Sequence, residues 1–294
     1  MKPSQSRFID VRGLRYHVRS WGDQDAPKLL LLHGWMDVSA SFQFVVDALQ
    51  HSWHVLAPDW RGFGMSQWNP GGYWFADYLA DLDVLLRELS PDAPVNVAGH
   101  SMGGNVLGLY AGARPDRVKR IALLEGFGLP RTTPEKAPKR YAQWMNEWAQ
   151  PPSLKPYASR DEVVNRLKNN NPKLSDAHAR FLAPHWANEQ ADGSWALAAD
   201  PRHKMVHPVL YRLEEAIACW RQITAPTLWV WGDGEWMKKW FRAGYDNDEV
   251  ELNERRAAIA HLEEVRIPEA GHMLHFDAPK RLADILETFF MRPA

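Results

Sequence analysis

The sequence predicts an α/β domain: one mostly parallel sheet of eight strands, helices on both faces, and a helical cap inserted late in the chain. Three observations carry that expectation. Short apolar runs alternate with amphipathic stretches, the rhythm of parallel strands joined by crossover helices rather than of a sandwich or a bundle. The length of 294 residues suits one core with an elaboration, since single α/β domains commonly run past about 200 residues. Across residues 130–220 the alternation stops, prolines and asparagines become frequent, and the periodic pieces look helical with no strand between them.

Residues 8–11 and 14–18 flank Arg12 and Gly13, a spacing short enough for a tight antiparallel turn. Six further strands are expected at 28–32, 53–57, 95–98, 118–124, 227–231 and 264–267. Helices are expected at 42–50, 73–89, 102–113 and 279–290, where apolar residues recur at three- and four-residue steps and would cover the sheet. The core is therefore placed at 1–129 and 221–294, and the helical cap at 130–220. No internal repeat interrupts this order.

Composition narrows the function. The 35 basic and 36 acidic residues nearly cancel and are scattered, so the footprint of a nucleic-acid or anionic-membrane binder is missing. A small-molecule substrate is the expected partner, with neither nucleic acid nor membrane, and oligomeric state is left open. No stretch approaches the roughly 20 apolar residues that span a bilayer, and residues 1–10 lack a signal-peptide core, which points to the cytoplasm. The lone Cys219 suits a reducing compartment, and a chain of this size needs no disulfide or metal to hold it together. Fifteen tryptophans are unusual, and many fall between Trp144 and Trp240, where they could line an apolar pocket.

The sharpest local pattern is Gly99, His100, Ser101, Met102, Gly103: a serine with glycines two residues to either side, after an apolar strand and before an apolar helix. A serine there sits on a strained turn with its hydroxyl projecting, and the small residues let strand and helix approach. The helix N-terminus supplies backbone donors for a developing oxyanion, Met102 N–H first among them. The plainer role for Ser101 is helix capping, which does not require the two glycines.

Near the C-terminus, Gly271 and His272 follow the last expected strand. Histidine's ordinary pKa lies near neutrality, so His272 can take a serine proton and return it to a leaving group. A carboxylate orienting it should come from the same sheet edge, between nucleophile and base in the chain. Glu235, deep in the loop after 227–231, is the choice; Glu125 at the end of 118–124 is the rival, and Asp233 the third candidate. Glu125 could instead serve only to accept backbone N–H groups at a strand end. After 28–32 come His33, Gly34 and Trp35, and Trp35 N–H is placed as the second oxyanion donor, with His33 bracing the loop. Asp59, Arg61, Gly62, Gly64 and Ser66 read as a braced turn in which Asp59 and Arg61 pair locally.

Taken together, HGW at 33–35, DxRGxGxS at 59–66, GHSMGG at 99–104 and AGH at 270–272 resemble the α/β-hydrolase superfamily over nearly the whole chain. Within it the chain is similar to capped serine hydrolases and esterases, near the serine-hydrolase-like and epoxide-hydrolase-like branches. The resemblance implies the α/β-hydrolase fold, Ser101 as nucleophile, His272 as base, and the Trp35 and Met102 amides as oxyanion donors. Relatives with aspartate where this chain has Glu235 leave the acid open, and dehalogenases with a glutamate at the place of Glu125 keep the rival alive. Epoxide hydrolases and dehalogenases use an aspartate nucleophile; the serine at 101 disfavours both reactions.

The expected activity is carboxylic-ester hydrolysis through an acyl-enzyme, without metal or organic cofactor. The same machinery would also serve a thioester, amide or carbon–carbon bond, and the same fold could host a non-catalytic ligand receptor. Trp144, Trp148 and Trp186, with Tyr141 and Phe181, are expected to contact an apolar or aromatic substrate.

Overall fold

In the chain's first 21 residues, β1 (Ser4–Val11) and β2 (Leu14–Trp21) form an antiparallel hairpin around Arg12 and Gly13, both at positive φ. The structure, a computed structural model, describes residues 1–233 and 248–293. Then come β3 (Lys28–Leu32), α1 (Gln43–Ala48), β4 (His54–Pro58), α2 (Phe75–Leu89), β5 (Val95–His100), α3 (Met102–Ala113) and β6 (Val118–Leu124). A helical stretch follows: α4 (Ala137–Ala149), α5 (Arg160–Asn170) and α6 (Asp176–Trp186). The small hairpin β7 (Ala187–Glu189) and β8 (Trp195–Leu197) and then α7 (Leu213–Trp220) complete it. The chain closes with β9 (Thr227–Trp231), α8 (Asp248–Ala257), β10 (Leu262–Arg266), α9 (Leu274–Asp277) and α10 (Pro279–Phe290).

Eight strands make one sheet in the order β1-β2-β4-β3-β5-β6-β9-β10; only the β1–β2 and β2–β4 pairings are antiparallel. The parallel strands β4 and β5 are buried at every residue, as strands covered on both faces must be. On one face α2, α3 and α7 pack over Leu30, Val97, Ile121 and Trp229. On the other, α1 and α10 pack over Leu29, Leu31, Val55 and Val230.

Local chemistry explains these helices. Pro279 opens α10 with a preset φ, and Leu282, Ile285, Leu286 and Phe289 then recur on one face, each contributing about 1.5–3 kcal/mol when buried. Gly112 lets α7 lie flush on α3, because a Cβ there would stand 2.0 Å from the carbonyl oxygen of Cys219. The helices α5 and α6 build a separate apolar cluster, with Val164, Leu167 and Leu182 around Phe44 of α1 and Phe276 of α9.

Three elements differ from the sequence expectation. The helix expected at 42–50 is shorter, because a 3-10 turn occupies Ser39–Phe42 and Leu49 turns to extended backbone. The last strand starts two residues and ends one residue earlier, at Leu262–Arg266. The β7–β8 hairpin appears where no strand is expected; its strands are three residues long, and Gly193 at φ +81° closes the turn beside Asp192. No helix among the described residues is long and apolar enough to cross a membrane.

Candidate active site

Ser101 stands between β5 and α3 at φ +50°, ψ −113°, a conformation that costs about 1–3 kcal/mol in a non-glycine residue. Its surroundings hold it there. Ser101 N–H donates to Leu124 O at 2.8 Å, and its carbonyl accepts the first helical bond from Asn105 N–H at 2.9 Å. Glycines leave no alternative path: a Cβ on Gly99 would lie 2.5 Å from the Gly103 carbonyl, one on Gly103 2.3 Å from Leu32 O. Gly126, which the motif does not include, belongs to the same seam, with an added Cβ 2.5 Å from Ser101 O.

The loop after β3 passes directly alongside. A Cβ on Gly34 would stand 3.2 Å from Ser101 Cβ, so the main chain carrying the Trp35 amide runs past the serine. His33 braces this loop from within, as expected. It is wholly buried, Nδ1–H donates to Gly34 O at 2.7 Å, and Nε2 accepts from Trp60 N–H at 2.8 Å. Burial lowers its pKa, in keeping with a neutral ring in this tautomer. The Met102 amide opens α3, where the first N–H groups of a helix lack intrahelical partners.

His272 lies in the loop after β10. Its Nδ1 is 3.6 Å from Glu125 Oε2, and its side chain is 19% exposed against 2% for Glu125. Glu125 leaves β6 at φ +53°, which turns its carboxylate back along the sheet edge. There Oε1 accepts Gly232 N–H at 2.5 Å. It therefore takes a backbone N–H and faces His272 at once, so two roles expected as alternatives coexist. Asp233 borders the same cavity and donates its N–H to Ala270 O at 2.7 Å. Glu235 lies outside the described residues.

Ser101, His272 and Trp35 share one cavity of about 530 Å³. Trp186 forms part of its wall and donates Nε1–H to Asp37 Oδ1 at 3.2 Å, which carries the end of α6 onto the site. Trp144 and Trp148 are elsewhere, contrary to expectation: they line a second cavity of about 320 Å³ with Trp74 and Arg202. The reason is helical spacing. Residues 144 and 148 are one turn apart on α4, so they share a face, and that face meets Trp74 at a centroid distance of 6.1 Å. Tyr141 is half exposed, and Phe181 packs edge-on against Phe44.

The turn after β4 is braced, but by other partners than expected. Asp59 binds His17 Nδ1 at 2.7 Å and accepts the N–H groups of Ser39 and Met65, while Arg61 grips Asp81 through two bonds of 2.5 and 2.6 Å. Burial pushes the Asp59 carboxyl up, yet the His17 contact, His33 and the Met65 N–H together outweigh it and hold the group well below the usual carboxylate range.

A positive-φ serine between a buried parallel strand and a helix, with a histidine and a buried carboxylate at the same sheet edge, defines the α/β hydrolase class. Residues 27–279 match the family described as alpha/beta hydrolase fold, and the chain belongs to it. A serine hydrolase-like protein of Danio rerio is 26% identical over 282 residues, covering 93% of this chain and 84% of that one. Haloalkane dehalogenase 2 of Mycobacterium tuberculosis is 27% identical, covering 98% and 96%. Among solved structures, the thioesterase domain from the curacin biosynthetic pathway superposes with a TM-score of 0.85 at 24% identity, covering 97% and 99%, which shows the shared fold.

Proposed function

We propose that this α/β hydrolase cleaves carboxylic esters of small apolar or aromatic molecules through an acyl-enzyme on Ser101. The observation that carries the reading is the strained Ser101 opening into one cavity with His272, whose Nδ1 faces the buried carboxylate of Glu125. In this scheme His272 Nε2 takes the serine proton as Oγ attacks the carbonyl carbon, then protonates the departing alkoxide; water activated by the same nitrogen releases the acid. The Trp35 and Met102 amides receive the oxyanion, each such donor contributing about 2.7–4 kcal/mol to the transition state.

Glu125 is the acid of choice in this reading, ahead of Glu235 and Asp233. Burial and the Gly232 bond fix its orientation, and a separation of 3.6 Å closes to hydrogen-bond length with a small ring movement, as catalytic contacts do when substrate arrives. The cavity wall argues for the substrate class. Trp35, Met36, Trp186 and Met273 offer apolar surface, whereas Asp37, Asp233, Glu269 and Asp277 outnumber Lys173 and disfavour anionic molecules. The zebrafish relative, named serine hydrolase-like, supports a serine nucleophile.

The test is fluorophosphonate labelling followed by peptide mapping, with a panel of neutral aryl and alkyl esters and acyl-CoA thioesters run in parallel. Modification on Ser101 and turnover of neutral esters are expected. An unmodified Ser101 in folded protein sinks the mechanism, and a preference for the anionic thioesters sinks the substrate class.

A further inference from the structure

Behind the Ser101 cavity, Asp37 from the loop after β3, His100 from the end of β5 and His275 from α9 come together, with one potential ligand atom of each within 4.8 Å of the others. All three are buried, at 2%, 1% and 0% exposure. We propose that they form a binding site for a single divalent transition-metal ion of the zinc class. The inference is independent of the hydrolytic mechanism, and nothing in the sequence spacing announces it, because residues 37, 100 and 275 follow no ligand motif.

The hydrogen bonding around the three side chains leaves ring nitrogens and one carboxylate oxygen without a well-aligned hydrogen bond. His100 Nε2–H donates to the His272 carbonyl at 2.8 Å, which leaves Nδ1 as a bare acceptor with no hydrogen-bond partner. Asp37 Oδ1 is saturated by Val38 N–H at 2.9 Å, Trp186 Nε1–H at 3.2 Å and the Ser41 hydroxyl, and Oδ2 has no hydrogen bond. Neither ring nitrogen of His275 makes a well-aligned one, and the contact of its Nε2 with Asp37 Oδ2, 3.4 Å long, is an ion-pair distance. Nδ1 of His100 and Oδ2 of Asp37 are both acceptors, so they cannot satisfy each other; a cation between them can.

Geometry and outer contacts agree. His275 Nε2 lies 3.4 Å from Asp37 Oδ2, close to the ~3.4 Å edge of a tetrahedron with bonds near 2.1 Å, and an edge at the 4.8 Å bound needs to close by about 1.4 Å. Metal-bound histidines ordinarily donate their other N–H to a carbonyl, and ligating carboxylates are themselves hydrogen-bonded; His100 and Asp37 already have both arrangements. Two imidazoles and one carboxylate suit zinc, cobalt, nickel or copper rather than magnesium or calcium. Asp37 and His100 also border the Ser101 cavity, which gives an ion its way in and a fourth position for water. Once bound, it would tie together the loop after β3, the end of β5 and the loop that carries His272.

The full chain, stripped with chelator, is titrated calorimetrically with Zn²⁺ and spectroscopically with Co²⁺. One equivalent should bind with micromolar or tighter affinity, raise Tm, and give the intense visible bands of four-coordinate cobalt. Asp37→Asn and His275→Gln should each weaken binding at least tenfold, and His261→Gln, at an exposed position, should not. Absence of a one-equivalent step, weak six-coordinate cobalt bands, or undiminished affinity in folded His275→Gln overturns the site. If the variants do not fold, stoichiometry and the cobalt spectrum of the unaltered chain decide alone. Binding is read without turnover, so its failure is distinct from failure of the ester-hydrolysis reading.

Discussion

The two cavities are built in different ways. That of Ser101 has a floor shaped by main chain: Gly99, Gly103 and Gly126 bring backbone of β5, α3 and the end of β6 into direct contact, and Gly34 admits the side chains of His100 and Ser101. That of Trp144 and Trp148 is shaped by side chains, with one face of α4 set against Trp74 ahead of α2. The contrast teaches that chemistry set by backbone geometry leaves a short, readable motif, whereas a wall of aromatic rings takes its meaning from tertiary placement.

The largest expected effect tests the main-chain cavity. Ser101→Ala should lower kcat toward neutral esters by a factor on the order of 10⁶, measured in steady state. Glu125→Gln should lower it about 10⁴-fold, while Glu235→Gln and Asp233→Asn stay within about threefold of the parent; a reversed order reassigns the acid. Gly34→Ala introduces a Cβ 2.9 Å from His100 Nδ1 and 3.2 Å from Ser101 Cβ, and should cost about 10²-fold in kcat by displacing the oxyanion loop.

The division between the cavities is tested next. Trp186→Ala should raise KM for aryl esters about tenfold, whereas Trp144→Ala and Trp148→Ala leave kcat/KM for compact esters within about twofold. Equal losses in all three would merge the cavities into one substrate path.

The smallest effect concerns two partly buried histidines outside both linings. His203 stacks between Phe63 and Tyr73, and its carbonyl accepts Trp35 Nε1–H. Burial holds His203 down to about 3 and His185 down to about 4. Both folded values lie below the unfolded value near 6.5, so the unfolded chain takes up protons first as pH falls. Their stabilising contribution is therefore full above about pH 6.5 and declines between there and pH 4. Urea midpoints should be level from pH 7 to 8.5 and drop steadily toward pH 4.5.

Much of this was legible in the residues. The strands read correctly where burial on both faces forces continuous apolar runs, as in β3 and β6, and α3 and α10 were bounded to the residue by Met102, Ala113 and Pro279. The elbow at Ser101 was legible because its glycines are local. What depended on distant partners was not. Asp59 finds His17, 42 residues earlier, rather than neighbouring Arg61. The claim of Glu125 on His272 rests on a positive φ that no residue pattern declares. The β7–β8 hairpin did leave a signal, Asp192-Gly193, but its strands are too short for alternation to show.

One consequence follows from the pairing of β5 with β6. Their register runs up to His100 opposite Leu124, one residue short of Ser101 and Glu125. Hydroxyl and carboxylate thus ride on adjoining planks of one rigid floor, and breathing of that floor carries them together. The imidazole hangs from a separate strap. Mild heating should accordingly silence the enzyme by letting the strap slacken while the floor is still intact.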